Sequence, residues 1–215
     1  MSYINISTQV FVFDNFQIIP LSKCGSTSLT ARESGWSSVK DVTNNFDPIM
    51  NESKKTYVCV RSPQSRFPSA LKEALYRRNL DAILEEEMLN ILNDIQIKKD
   101  PKPHLYELLN YIKSTKLNYE NYNMESHLAP LWSHFRLMPQ QVLDKLVFID
   151  LSDLSNLWKK YTGEEMVKRD GGSSTSGHGG YEKWTEIIQS DQKLIDLIDE
   201  TYAEDYTLFD RVQKL

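Results

Sequence analysis

The chain has 215 residues, 40% of them hydrophobic and 26% charged, with a formal net charge of −5. That length suits one domain, 1–215, with a substantial buried core, and the acidic balance argues against a general nucleic-acid binder. With no run of about 18 apolar residues to span a membrane, and no basic stretch at the start to make a secretory signal, a soluble, cytoplasmic protein with no membrane partner is expected. Two cysteines, Cys24 and Cys59, give no disulfide framework. The four histidines, His104, His127, His134 and His178, show no zinc-like spacing, so no metal is expected.

In chain order, residues 3–13 alternate loosely and end in Val10-Phe11-Val12-Phe13, which predicts a strand or hairpin. Residues 16–21 read as a strand that empties into Ser22-Lys23-Cys24-Gly25-Ser26-Thr27-Ser28. Ser26 or Thr27 can cap a helix running to about Ser34, with Gly35 as its stop. The Ser-, Asn- and Asp-rich segment 37–53 reads as loop. "TYVCVR", 56–61, is a second strand. Pro63 opens a helix whose Phe67, Ala70, Leu71, Ala74 and Leu75 share one face. Pro68 predicts an irregular first turn between Pro63 and Pro68.

Further helices are predicted from Asp81 to about Ile97 and from His104 to Lys116, separated by "DPKP". A Tyr- and Asn-rich loop follows, then "HLAPLWSHFRLMP", then a third strand, "KLVFIDL", 145–151, and a helix from Ser152 to Tyr161. "GGSSTSGHGG", 171–180, reads as a loop by composition, and the chain from Tyr181 onward as helical. Trp158 and Trp184 are expected in the core. Strands alternating with helices predict an α/β protein with a parallel sheet. In such sheets ligands bind at the carboxyl ends of the strands, which singles out two loops, Ser22–Ser28 and Arg61–Ser69.

The first loop combines a helix N-terminus, a glycine that allows close backbone approach, three hydroxyls and the mobile charge of Lys23. This is chemistry for a phosphate or sulfate, although a strand–turn–helix junction with a solvated lysine has the same composition. It is not a Walker A loop, because the lysine precedes the one glycine. In the second loop Arg61 leaves a strand end and Ser69 lies eight residues on. An arginine grips a phosphate bidentately and a serine adds a hydroxyl. The segment Lys54 to Arg78 carries seven basic residues and one acid, Glu73. A locally basic patch on an acidic protein points to a small anionic ligand.

A strand ending in K-x-G-[ST]-[ST]-S, followed by a strand ending in R-x-P-x-x-R-x-x-S, resembles the sulfotransferase family that uses 3′-phosphoadenosine 5′-phosphosulfate (PAPS). The resemblance is to its carbohydrate-sulfotransferase branch. It implies that Lys23, Gly25, Ser26, Thr27 and Ser28 hold the 5′-phosphosulfate and that Arg61 and Ser69 hold the 3′-phosphate. Arg66 matches the second arginine of carbohydrate-type members. "FIDLSDLSNLWKKYTG" and "YAEDYTLFDRV", Tyr202 to Val212, are similar to the later strand–helix segment and the closing helix of the same branch. The implied architecture is a P-loop-like three-layer fold with a central parallel sheet and many flanking helices.

The implied activity is sulfuryl transfer from PAPS as co-substrate to a hydroxyl of a glycan or small-molecule acceptor. Lys23 would stabilise the departing phosphate. His127, in His127-Leu128-Ala129-Pro130, is the candidate base, matching a His-x-x-Pro of the family, although Leu128 stands where an aromatic residue is usual. His134, seven residues on, would share its helical face, and Glu125 is the carboxylate alternative. Tyr119, Tyr122 and Trp132 offer flat faces to a sugar ring, or serve as packing residues. The loop 171–180 either covers the donor or connects two helices. Two other functions fit parts of the pattern. One is a P-loop-type nucleotide kinase, with Asp150 as its metal-binding carboxylate. The other is a non-catalytic binding protein on a sulfotransferase fold.

Overall fold

The three apolar runs of the sequence form the parallel side of a five-stranded mixed sheet. A computed structural model of the chain describes residues 9–21, 24, 36–42, 45–50, 53–77, 86–115, 127–136, 138–166 and 181–213. The described residues fall into two compact units, one drawn from Asn5–Arg61, Leu131–Gly171 and Glu204–Leu215, the other from Ser62–Pro130 and Gly172–Ala203.

The first unit carries the strands β1 (Gln9–Val12), β2 (Gln17–Ile19), β3 (Ser38–Asp41), β4 (Thr56–Val60) and β5 (Leu146–Asp150), in the order β3-β1-β2-β4-β5. β2 pairs parallel to β4, with Ile19 opposite Val58, and β4 parallel to β5, with Val60 opposite Asp150. All five residues of β4 are buried, as expected of a parallel strand covered on both faces. Its one conspicuous polar neighbour, the buried Gln17 of β2, donates its amide nitrogen to Thr56 Oγ1 at 2.7 Å and to the Pro48 carbonyl at 3.0 Å, which satisfies both N–H groups, while its Oε1 is buried without a hydrogen-bond partner.

The sheet departs from an all-parallel one on its other side. β1 runs antiparallel to both β2 and β3. β1 and β2 are joined through Phe13–Phe16, where the Phe13 N–H donates to the Phe16 carbonyl at 2.9 Å. β3 and a short helix α1 (Asp47–Met50) lie within 37–53, which the sequence predicts as loop. The reason is local. β3 holds one apolar side chain, Val39, and that is 38% exposed. It is an edge strand made by backbone pairing to β1, with no buried face to leave an alternating pattern.

Helices α5 (Gln140–Leu143), α6 (Leu154–Thr162) and α9 (Ala203–Phe209) complete this core with Val142, Leu143, Leu154, Leu157, Trp158 and Leu208. α6 brings Trp158 edge-on to Phe13 at 5.2 Å and Tyr161 to Phe16 at 5.1 Å. The aromatic cluster therefore braces the amino-terminal end of β2. α6 ends at Gly163, whose φ of +76° is the left-handed conformation of a helix C-cap, with its N–H donating to the Lys159 carbonyl.

The second unit is helical: α2 (Pro63–Arg77), α3 (Glu86–Ile97), α4 (Lys102–Thr115), α7 (Tyr181–Gln189) and α8 (Gln192–Thr201). The predicted face of α2, Phe67, Ala70, Leu71, Ala74 and Leu75, is buried in its core together with Trp184. The first turn of α2 is regular, contrary to the expectation from Pro68. The Ser62 carbonyl accepts both the Ser65 and Arg66 N–H groups, and the helix runs unbroken through Pro68 to Arg77. The segment after Tyr181 is broken twice, at Asp191, whose carboxylate caps Lys193 N–H, and at Tyr202. The helix expected at 26–34 and the start of the one expected at 81 lie outside the described residues, as does loop 171–180.

Candidate functional site

Because β2, β4 and β5 are parallel neighbours, the chain leaves all three at one edge of the sheet. From β2 it passes through Pro20 and Leu21 into a turn in which the Cys24 N–H donates to the Leu21 carbonyl at 3.1 Å. Cys24 is fully buried beneath that turn. Lys23, Gly25, Ser26, Thr27 and Ser28 lie outside the described residues. From β4 the chain leaves through Arg61, which is half-buried. From β5 it leaves through Asp150, whose carboxylate accepts from Ser152 N–H at 2.7 Å and from Ser152 Oγ at 2.6 Å. Asp150 thus caps the short 3-10 turn Leu151–Asp153.

The electrostatics of this edge are registered at Cys59, the penultimate residue of β4. Burial pushes its thiol well above the ordinary value; Cys24, Asp150 and Asp153 push in the same direction, and Arg61 opposes them. A buried thiol of this kind stays protonated and packs as a small hydrophobe. Cys24 and Cys59 are both buried thiols.

In the helical unit, Ser69 is half-buried on α2 and His127 is half-buried in a turn. Arg66 is 1% exposed. Its guanidinium donates to the His127 carbonyl through Nη1 and to the Ala129 carbonyl through Nη2, both at 3.0 Å. It also lies 5.1 Å from the ring centre of Tyr202, whose hydroxyl donates to the Leu128 carbonyl at 2.8 Å. Three consecutive carbonyls, 127 to 129, are therefore each held by a side chain. Sequence reasoning missed this clamp. The arginine was visible in R-x-P-x-x-R, but its partners are main-chain atoms some sixty residues away, which leave no mark on residue type.

In the sheet unit, Asp205 is 3% exposed and accepts from the Leu131 N–H at 3.0 Å and the Trp132 N–H at 2.9 Å, at the start of the 3-10 turn Leu131–His134. His127 and His134 do not share a helical face: residues 127–129 are turn and bend, and the 3-10 turn begins only at Leu131. Trp132 packs against the core of the sheet unit, and Trp158 and Trp184 are buried in their cores as expected. Tyr119, Tyr122 and Glu125 lie outside the described residues.

A groove of about 540 Å³ on the helical unit is lined by Glu86, Glu87, Asn90, Ile91, Asp94 and Glu107. Its carboxylates repel an anion, so it is no place for a nucleotide phosphate. Among the described residues, no group of three or more His, Cys, Asp or Glu side chains is placed to hold a metal ion, and no helix is long and apolar enough to cross a membrane. Comparison with protein-family models, with curated proteins and with solved structures gave no match.

Proposed function

We propose that the chain is a PAPS-dependent sulfotransferase acting on a hydroxyl acceptor, with a carbohydrate as the favoured class. The observation that carries this reading is the parallel pairing of β2 and β4. It sets the strand that precedes Lys23–Ser28 in the sequence beside the strand that precedes Arg61, and a parallel sheet binds ligands at such strand ends. On this reading the P-loop-like three-layer architecture goes with the function.

In the reaction the S–O bond to the nucleotide phosphate breaks, a new S–O bond forms to the acceptor oxygen, and the acceptor proton passes to a base. Lys23 stabilises the charge on the departing phosphate, and the backbone and hydroxyls of Gly25, Ser26, Thr27 and Ser28 orient the phosphosulfate. Arg61 takes the 3′-phosphate. The same resemblance assigns Ser69 to that phosphate and His127 to the base.

The deciding experiment is a thermal-shift titration with adenosine 3′,5′-bisphosphate without Mg²⁺, beside ATP with Mg²⁺, followed by labelled PAPS with glycans, lipids and phenols. A ligand at a hundred times its Kd adds about 2.7 kcal/mol of stability, so a bisphosphate shift and label transfer are expected. Preference for ATP with Mg²⁺ would turn the reading to a kinase. A bisphosphate shift without transfer to any acceptor would turn it to a binding protein.

A further inference from the structure

We propose that Arg66 is a positioning residue for His127, acting through the main chain with Tyr202 as its partner. The proposal rests on the reading of His127 as the catalytic base. What supports it is the use to which a buried arginine is put. A guanidinium cannot shed its charge, so its burial must be compensated by acceptors. Here two bonds of that compensation go to the carbonyls of His127 and Ala129, each at 3.0 Å, with the residue itself 1% exposed. The carbonyl between them takes the Tyr202 hydroxyl at 2.8 Å, and the Tyr202 ring lies under the guanidinium.

Holding carbonyls 127, 128 and 129 restrains the three successive peptide planes that follow His127, and so the Cα from which its imidazole projects. The arginine sits on α2 one turn before Ser69, so the helix that holds the base segment also carries the residue assigned to the donor's 3′-phosphate. An isolated packing role would not require a fork spanning alternate carbonyls of the segment that bears the histidine. Bidentate geometry is what Arg supplies and Lys does not.

The test uses the full chain with Arg66→Lys and Tyr202→Phe, following the imidazole Cε1–H signal of His127 by NMR across pH. The signal is assigned by its loss in His127→Gln, and His104, on α4 beside Asp94 and Glu107, is the internal control. The expected result is that the His127 signal moves in Arg66→Lys while that of His104 is unaltered. With turnover established, kcat falls, by up to about a hundredfold for a displaced catalytic group, with the KM for PAPS unchanged. A folded Arg66→Lys protein with an unaltered His127 signal overturns the proposal. If Arg66→Lys does not fold, the same two outcomes are read from Tyr202→Phe, which removes the bond to the Leu128 carbonyl. Turnover that survives His127→Gln would instead refute His127 as the base, and the NMR result would still decide whether Arg66 sets its position.

Discussion

The guanidinium of Arg66 lies 5.1 Å from the ring centre of Tyr202, and the two side chains hold adjacent carbonyls of one turn, Arg66 those of His127 and Ala129 and Tyr202 that of Leu128. Tyr202 is 1% exposed, so removing its hydroxyl leaves a buried carbonyl without that donor. Tyr202→Phe should cost about 1–2 kcal/mol. Tyr202→Ala, which also empties a core position and bares the guanidinium, should cost about 3–5 kcal/mol. Urea unfolding of the two variants checks the ordering, and equal midpoints would mean that the hydroxyl and the ring contribute nothing separable.

Asp205 offers a second, independent anchor in the sheet unit. Its two oxygens accept the Leu131 and Trp132 N–H groups of the 3-10 turn Leu131–His134, at 3.0 and 2.9 Å. Asp205→Ala strands both donors and should destabilise by about 1–3 kcal/mol. Asp205→Asn keeps one carbonyl oxygen and should recover part of that loss. Denaturant midpoints of the two variants are the measurement. If Asp205→Asn falls as far as Asp205→Ala, one acceptor oxygen does not support the turn.

Much of the fold was legible because burial leaves periodicity. β2, β4 and β5 are apolar runs, and the face of α2 was named residue by residue from its spacing. What escaped was held by main-chain hydrogen bonds. β3 pairs to β1 with one exposed valine and leaves no pattern. Arg66, Tyr202 and Asp205 carry no signal of their own because their partners are carbonyls and N–H groups, which every residue has. The closing segment Tyr202 to Val212, noted only for its resemblance, supplies through Tyr202 and Asp205 two anchors of the 127–132 stretch, each within its own unit. Pro68 misled for a related reason. Pro68 is the sixth residue of the helix, so it forfeits a bond to the Gln64 carbonyl but leaves the first turn, closed by the Ser62 carbonyl, intact.

The buried thiol and phenol of β4 predict how stability depends on pH. Burial raises the Cys59 thiol above its usual value of 9.0, and burial with the 2.7 Å bond to Tyr161 raises the Tyr57 hydroxyl above 10.0. Both groups are neutral when protonated, and the folded state binds the proton more tightly than the unfolded chain does. Their contribution is therefore complete below about pH 8 and declines as pH rises past the unfolded values, with a slope approaching about 1.4 kcal/mol per pH unit for each group. Urea unfolding at pH 8, 9 and 10 should show the fall, and Cys59→Ala should flatten its first part. A parent and a Cys59→Ala variant with the same slope between pH 8 and 10 would show that the thiol is not the group responsible.

The two charges assigned to the donor separate the chemistry from the binding. Lys23 acts on charge that develops as the phosphate departs, so Lys23→Ala should abolish sulfuryl transfer from labelled PAPS with a circular dichroism spectrum like that of the parent protein. Arg61 leaves the carboxyl end of β4 beside the strand that feeds the Lys23 loop, and its assigned partner is the 3′-phosphate, present in substrate and product alike. Arg61→Ala should therefore weaken adenosine 3′,5′-bisphosphate by about 1.5–3 kcal/mol, roughly tenfold to a hundredfold in Kd. Adenosine 5′-phosphate, which lacks the 3′ group, should bind the parent and the variant alike. Calorimetric titration of both nucleotides against both proteins makes the comparison. If Arg61→Ala loses as much affinity for the 5′-monophosphate as for the bisphosphate, the arginine does not read the 3′-phosphate. Unchanged turnover in Lys23→Ala would remove the lysine from the mechanism, whatever Arg61 does.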